Sequence, residues 1–474
     1  MADGAIDYGD VQGTILRGYR VDFARHFVLA VADAAAARRL IGALVDGRDG
    51  LPAITTARRW EPEEKPECFL NVGFTAAGLA ALGVSNAQLQ TFDPAFLRGA
   101  TDAETARAVG DVGDSAPSRW IGGLDDGSQV HVLLSLWVDD DPAALEAVSR
   151  RLRAAFAGCL RELSTHDGRA LPHNQVHFGY RDSIAQPTIA GGPPRKAQYD
   201  VPDHQPQVPT GEFLLGYPNA APQGMYTVEP AELSKNSSYA AFRILEQDVP
   251  GFEAFLVQYA RQEGIDPELL AAKVCGRWRN SNPLALAPDS QEPCPPDERL
   301  NDFTYVSDDP AQDDRLGLKC PIGSHIRRSN PRNQGVVGTD STHHRIVRRA
   351  MPYGPPYDPS RPDAERRGLV GYFINASLFN QFEFLTSEWN LASRFVLPAI
   401  RPNRWGDGDA VLNISGEDVF LGVNDPKTSS FTLAAVPRGT NRRVRGFSRF
   451  VTTRGGAYVF LPSITGLRYL ARLT

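Results

Sequence analysis

The chain has 474 residues, of which 42% are hydrophobic and 22% charged, the balance of a soluble globular protein. A formal net charge of −6 gives no bulk attraction for nucleic acid. No run of about 18 apolar residues exists to span a membrane, so neither partner is expected.

At ~150 residues per domain, the length allows two or three domains. The five cysteines, Cys68, Cys159, Cys275, Cys294 and Cys320, are widely spaced and form no CxxC pair. That indicates neither a zinc site nor a disulfide framework and fits a reducing compartment. The opening "MADGAIDYGDVQGTILRGY" has no basic region followed by an apolar run, so no secretory leader is expected and the location is read as cytoplasmic. The richest basic run, "TNRRVRGFSR" ending at Arg449, is read as a solvated face.

In chain order, three early segments each pair an apolar run with an amphipathic helix. They are "HFVLAVADAAAARRLIGALV", "CFLNVGFTAAGLAALGV" and "VHVLLSLWVDDDPAALEAVSRRLRAAFAG". In the third, Val130 to Val138 predicts a strand. Asp139 to Asp141 then supply helix-cap chemistry, and Pro142 suits the first turn. Pro187 to about Pro230 is rich in Pro and Gly and reads as a long linker or surface loop. Asn280 to Gln312 is also irregular. "GLVGYFINASLFNQFEFLTSEWN" and "GGAYVFLPSITGLRYLARL" again predict strand then helix. The outline is two α+β halves, antiparallel sheets with helices on a face being compatible with this order.

Few catalytic motifs are present. There is no HExxH helix, no GxSxG elbow and no P-loop, and "LLGYPNAAPQG" lacks the strand–GxGxxG–helix context of a nucleotide cradle. His343 and His344 are adjacent and cannot share one helix face. Two stretches carry more. "HFGYRDSIAQP" leads an aromatic segment into Asp182, and "GLKCPIGSHIRRSNPR" sets His325 among basic residues, with "HRIVRRAMPYG" following. Taken singly, each also has a plain reading as surface loop and surface charge.

Together these motifs resemble the dye-decolourising peroxidases, from end to end. "DVQGTILRGY" is similar to the family's N-terminal signature. "HFGYRDSIAQP" is similar to its GxxDG segment, with Gly179 and Asp182 in place. "VPTGEFLLGYPN", "CPIGSHIRRSNPR", "HRIVRRAMPYG", "NQFEF" and "GGAYVFLPSITGL" follow in the family's order. The length resembles the larger, elaborated, bacterial-like members.

The resemblance implies an α+β fold of two ferredoxin-like domains, residues 1–200 carrying the GxxD segment and residues 201–474 binding most of a haem b (iron protoporphyrin IX). It implies a peroxidase that reduces hydrogen peroxide and oxidises dyes or phenols in one-electron steps. His325 matches the proximal iron ligand, Asp182 the distal acid–base residue and Arg348 the distal arginine. Ser183 and Ile184 follow Asp182 at the cofactor face. Arg327 and Arg332 are candidates for the haem propionates, since guanidinium forks suit carboxylates. A carboxylate is expected behind His325. Glu383 in "NQFEF" is the candidate, because the slot four residues before Gln381 holds Ser377.

Aspartate has an ordinary pKa of ~3.9 against ~6.5 for histidine, so a distal aspartate predicts an acidic optimum, roughly pH 4 to 5. The second glycine of GxxDG is here Ser183. Glycine at that place tolerates backbone angles that other residues resist. The serine hydroxyl is expected either to tilt Asp182, narrow peroxide entry or donate a hydrogen bond to Asp182, or to be tolerated without effect. Two rival functions stand beside the peroxidase: a non-catalytic haem-binding, sensing or transfer protein of the same fold, and an interaction module without haem. Retention of Asp182 and Arg348 argues against the first, and His325 within "CPIGSHIRR" against the second.

Overall fold

The computed structural model describes residues 5–139, 141–193, 207–221, 224–336, 340–396, 415–433 and 442–473. The first half runs β1 (Phe23–Val31), α1 (Ala34–Asp46), β2 (Cys68–Phe74), β3 (Val132–Val138), α2 (Pro142–Phe156) and β4 (Leu160–Arg169). The second runs β5 (Ser238–Gln247), α3 (Val249–Glu263), α4 (Pro267–Cys275), the single-turn α5 (His325–Ser329), β6 (Val347–Tyr353) and β7 (Gly368–Asn375). A small ribbon of β8 (Ser430–Leu433) and β9 (Arg442–Arg445) precedes β10 (Val451–Leu461) and α6 (Ile464–Arg472).

Eight strands form one antiparallel sheet in the order β4-β1-β3-β2-β10-β5-β7-β6. Each group of four repeats the order fourth, first, third, second. That is the ferredoxin-like arrangement, met twice and laid edge to edge. The expected boundary at residue 200 lies outside the described residues.

Local sequence explains the elements. All seven residues of β3 are buried, because helices cover the sheet, so it reads as a continuous apolar run instead of alternating. Helix α1 begins where Asp33 accepts from the Ala36 N–H, and it ends at Gly47 with φ 63°, a conformation glycine adopts without strain. Helix α2 begins as the sequence predicts, with Asp141 accepting from the Ala143 N–H and Pro142 in the first turn.

Between β2 and β10 only Phe74 and Phe460 pair in register. A side chain reinforces this narrow seam. Gln12 Nε2 donates to the carbonyls of Val72 (2.9 Å) and Pro462 (2.8 Å), and its Oε1 accepts from the Val72 N–H. At the far ends the two edge strands converge: a Cβ added at Gly168 on β4 would lie 2.8 Å from the Met351 Cβ on β6. The sheet therefore curls toward closure and shields its edges.

Two sequence expectations need correction. The stretch read as a linker contributes to the core: Phe213, Leu214, Leu215 and Tyr217 are buried, and the Val208 N–H reaches the Thr188 carbonyl. The basic run near Arg449 is not wholly a solvated face. Arg443 and Arg445 flank the buried Val444 in β9, and the Arg449 guanidinium reaches the carbonyls of Gly110 and Val112. No helix among the described residues is long and apolar enough to cross a membrane.

Candidate active site

His325 opens the short helix α5, which packs on the helical segment that follows β7. Its Nδ1 lies 2.9 Å from Oδ2 of Asp418, and the other carboxylate oxygen accepts from the N–H groups of Phe420 (2.9 Å) and Leu421 (2.8 Å). Asp418 is wholly buried. Burial pushes its carboxyl upward, but the His325 imidazole, its hydrogen bond and Arg328 outweigh that, and the pKa sits below the ordinary value. Phe420 meets the imidazole edge-on at 5.5 Å. The other ring nitrogen, Nε2, forms no hydrogen bond among the described residues, and the side chain is 30% exposed.

An imidazole with one nitrogen tied to a carboxylate and the other open could hold a metal. Among the described residues no cluster of three or more His, Cys, Asp or Glu could hold a metal ion alone. A metal at His325 could take its further ligands from a macrocycle.

Asp182 lies on the loop after β4. The loop folds back on itself, with the Val176 N–H on the Tyr180 carbonyl and the Asp182 N–H on the Asn174 carbonyl. Its aromatic residues pin it to the second half: Phe178 stacks on Phe420 at 5.2 Å, and the Tyr180 hydroxyl donates to the Ala271 carbonyl at 2.8 Å. Phe420 thus touches both the His325 imidazole and the segment carrying Asp182. Arg348 on β6 brings its guanidinium to 3.7 Å from the Asp182 carboxylate. A cavity of about 570 Å³ opens beside Asp182, lined by Asp182, Ser183, Ile184, Gln186, Asn301 and Met351 among others. Ser183 takes φ 67°, a left-handed angle that glycine adopts without strain. Its hydroxyl makes no hydrogen bond among the described residues, so the expected donation to Asp182 is not seen.

No protein-family model matches the chain. Whole-protein relatives do. The dye-decolorizing peroxidase of Mycena epipterygia is 28% identical, with 99% of this chain and 88% of that protein covered. The Amycolatopsis multifunctional dye peroxidase DyP2 is also 28% identical, with 97% and 95% covered. Among solved structures, a dye-decolorizing peroxidase in complex with 2,6-dimethoxyphenol superposes with a TM-score of 0.78. It is 26% identical, and the match covers 98% of this chain and 100% of that one. Over nearly its whole length the chain is similar to dye-decolourising peroxidases.

Three residues expected at the cofactor are engaged by other protein groups in this structure. Arg327 is fully buried and committed to Gln334 Oε1, Asp314 Oδ2 and the carbonyls of Cys320 and Asp314, with its guanidinium over the Tyr305 ring. Arg332 directs its terminal nitrogens to the carbonyls of Asn301 and Phe303 and to the Asn301 side chain. Both arginines hold loops together in this structure. Glu383 does not reach His325. It pairs with Arg98 at 2.9 Å, where burial raises its carboxyl pKa and Arg98 opposes the rise. Ser377 caps the segment after β7 by accepting from the Asn380 N–H, and its hydroxyl donates to Asp93.

The carboxylate that sequence reasoning missed is Asp418. It stands 93 positions from His325 in "SGEDVFLGV", where no motif marks it. The available signal was chemical: an imidazole ligand calls for a buried acid, and an acid followed by an apolar run is one candidate.

Proposed function

We propose that this chain is a dye-decolourising peroxidase that binds haem b through His325, with most of the cofactor held by the second half, and works on peroxide with Asp182 and Arg348. The observation that carries this reading is the pairing of two sites across Phe420. Phe420 contacts the carboxylate-braced imidazole, whose other nitrogen is open, and also Phe178 on the segment that runs into Asp182, the acid 3.7 Å from the Arg348 guanidinium. The iron, when bound, supplies the redox centre for reducing hydrogen peroxide to water with two electrons taken singly from an organic donor.

The residues do the rest. Asp418 accepts the Nδ1 proton of His325, fixing the tautomer and leaving Nε2 as a lone-pair donor. The Asp182 carboxylate takes the proton from one peroxide oxygen and returns it to the other, acting as base and then as acid. Arg348 stabilises the negative charge that develops as the O–O bond parts. Ser183 and Ile184 line the cavity beside Asp182 and face what enters it. The 2,6-dimethoxyphenol bound by a structural relative makes phenols the first reductants to test, with anthraquinone dyes beside them. The five cysteines are free, in keeping with a reducing, cytoplasmic setting. A carrier or sensor of haem has no use for the pairing of Asp182 with Arg348, so the catalytic reading is preferred.

The test is spectroscopic first. Haem added to the wild type should give a Soret band with a histidine-ligated iron, and His325→Ala should lose that ligation. Peroxide-dependent oxidation of a phenol by the wild type should fall by roughly 10²-fold or more in Asp182→Ala. A normal spectrum in His325→Ala overturns the ligand assignment. Full activity in Asp182→Ala overturns the acid–base assignment.

A further inference from the structure

Strand β6 lies at the end of the sheet, with β7 on one side only. Arg348 stands opposite Phe373 of β7, and its own N–H and C=O point away from that partner. One side chain satisfies both. The Arg348 N–H donates to Gln186 Oε1 at 3.1 Å, and Gln186 Nε2 donates to the Arg348 carbonyl at 3.1 Å. Gln186 thus acts as a strand partner one residue long. It lies four residues beyond Asp182 on the same loop and lines the same cavity.

The Asp182 carboxylate and the Arg348 guanidinium form no hydrogen bond among the described residues. Their 3.7 Å separation exceeds the 2.7–2.9 Å of a charge-assisted hydrogen bond. Direct pairing therefore does not set it; the placement of the two backbones does. Side-chain ties from His177 to the Tyr353 carbonyl, from Tyr180 to the Ala271 carbonyl and from Arg181 to Asp297 hold the loop before Asp182, and those from Tyr8 and Thr210 reach it only at Gly191 and Ala190. Gln186 links the backbone of Arg348 itself to the loop that carries the acid. We infer that Gln186 is a positioning residue, setting the spacing between Asp182 and Arg348 through its two hydrogen bonds to the Arg348 backbone. The inference rests on the roles given above to Asp182 and Arg348.

The test compares haem-loaded wild type, Gln186→Ala, Gln186→Glu, Arg348→Ala and the Gln186→Ala/Arg348→Ala double variant. Stopped-flow mixing gives the second-order rate with peroxide, and steady-state assays give KM for a phenol. Gln186→Ala should lower the peroxide rate about 10- to 100-fold, the loss expected from a misplacement of about 1 Å, while KM for the phenol holds. Gln186→Glu keeps the shape and the acceptor but sets a carboxylate against the Arg348 carbonyl, so it should lose rate as well. In the Arg348→Ala background, Gln186→Ala should cost less than about twofold, since the residue acts through the arginine. A crystal structure of Gln186→Ala should show the Asp182–Arg348 separation changed by about 1 Å. An unchanged peroxide rate, an equal loss in both backgrounds or an unmoved pair in the crystal overturns the inference. An unchanged rate in Arg348→Ala alone removes instead the role of the arginine on which it stands.

Discussion

His325 Nδ1 and Asp418 Oδ2 lie 2.9 Å apart, and the acid has no exposed surface. The pair gives His325 a fixed orientation and a partner that strengthens it as a donor. Asp418→Asn keeps the volume and removes the charge. Haem affinity should fall about 10- to 100-fold. The Fe(III)/Fe(II) midpoint potential should rise, because a neutral partner no longer supports the more oxidised metal. Spectroelectrochemistry reads the second effect, and an unmoved midpoint would show that Asp418 is only a structural acceptor for Phe420 and Leu421.

Glu383→Gln provides the contrast. Its partner Arg98 is one-third exposed, so water replaces much of the lost ion pair. Stability should drop by about 1 kcal/mol in urea titration. Haem binding and the peroxide rate should hold. A collapse of the Soret band in this variant would return Glu383 to the proximal side.

Ser183 carries left-handed backbone strain of about 1 kcal/mol. Ser183→Gly relieves it, but the greater freedom of glycine in the unfolded chain takes back about 0.4–1 kcal/mol. Net stability should stay within about 0.5 kcal/mol of wild type. With no hydrogen bond from its hydroxyl among the described residues, the peroxide kcat/KM should also stay. Ser183→Val should cost about 1–2 kcal/mol, since a branched Cβ is disfavoured at this angle. A large kinetic gain in Ser183→Gly would show that the hydroxyl does obstruct the site.

Three histidines set the acid limb of stability. Burial holds His26 at about 3, and His166 and His344 at about 4, each depressed from ~6.5. A depressed histidine stays neutral in the folded state while the unfolded chain takes up the proton. Its contribution is whole above pH ~6.5 and is lost as pH falls through the folded value. Asp418, also depressed, loses its contribution in the same direction below pH ~4. The Tm should therefore fall steadily from pH 6.5 toward 4. His344→Phe, which keeps the stack on Phe384, should start lower and decline less. Parallel curves for the two proteins would rule out His344 as a source of the slope.

The sequence made the alternation of strands and helices readable, along with the candidates for imidazole, acid and arginine, because each sits in a long local motif. It hid what depends on distant contacts. The "HIRR" stretch forms one helical turn, so Arg327 and Arg328 rotate roughly 200° and 300° from His325 and face the interior. The charge of Arg327 suggested a cofactor partner; burial makes both arginines struts. Burial lowers Arg328 to about 10, and it reaches the carbonyls of Trp389, Ala392 and Gly416. Asp418 went unseen because nothing in a linear string marks which acid a fold will bury behind a ring. Gln12 looks like any exposed glutamine in its motif until two strands from opposite halves meet over it.

The plug formed by Phe178 and Tyr180 joins the halves beside the single strand pair and the shared core between them. Both rings leave the first half and are buried in the second, against Phe252 and Phe420. Split the gene near residue 200 and the downstream fragment inherits an unfilled aromatic socket directly behind its own histidine. The two pieces should then be sticky when apart and regain order only on being mixed, which makes this chain a natural subject for fragment complementation.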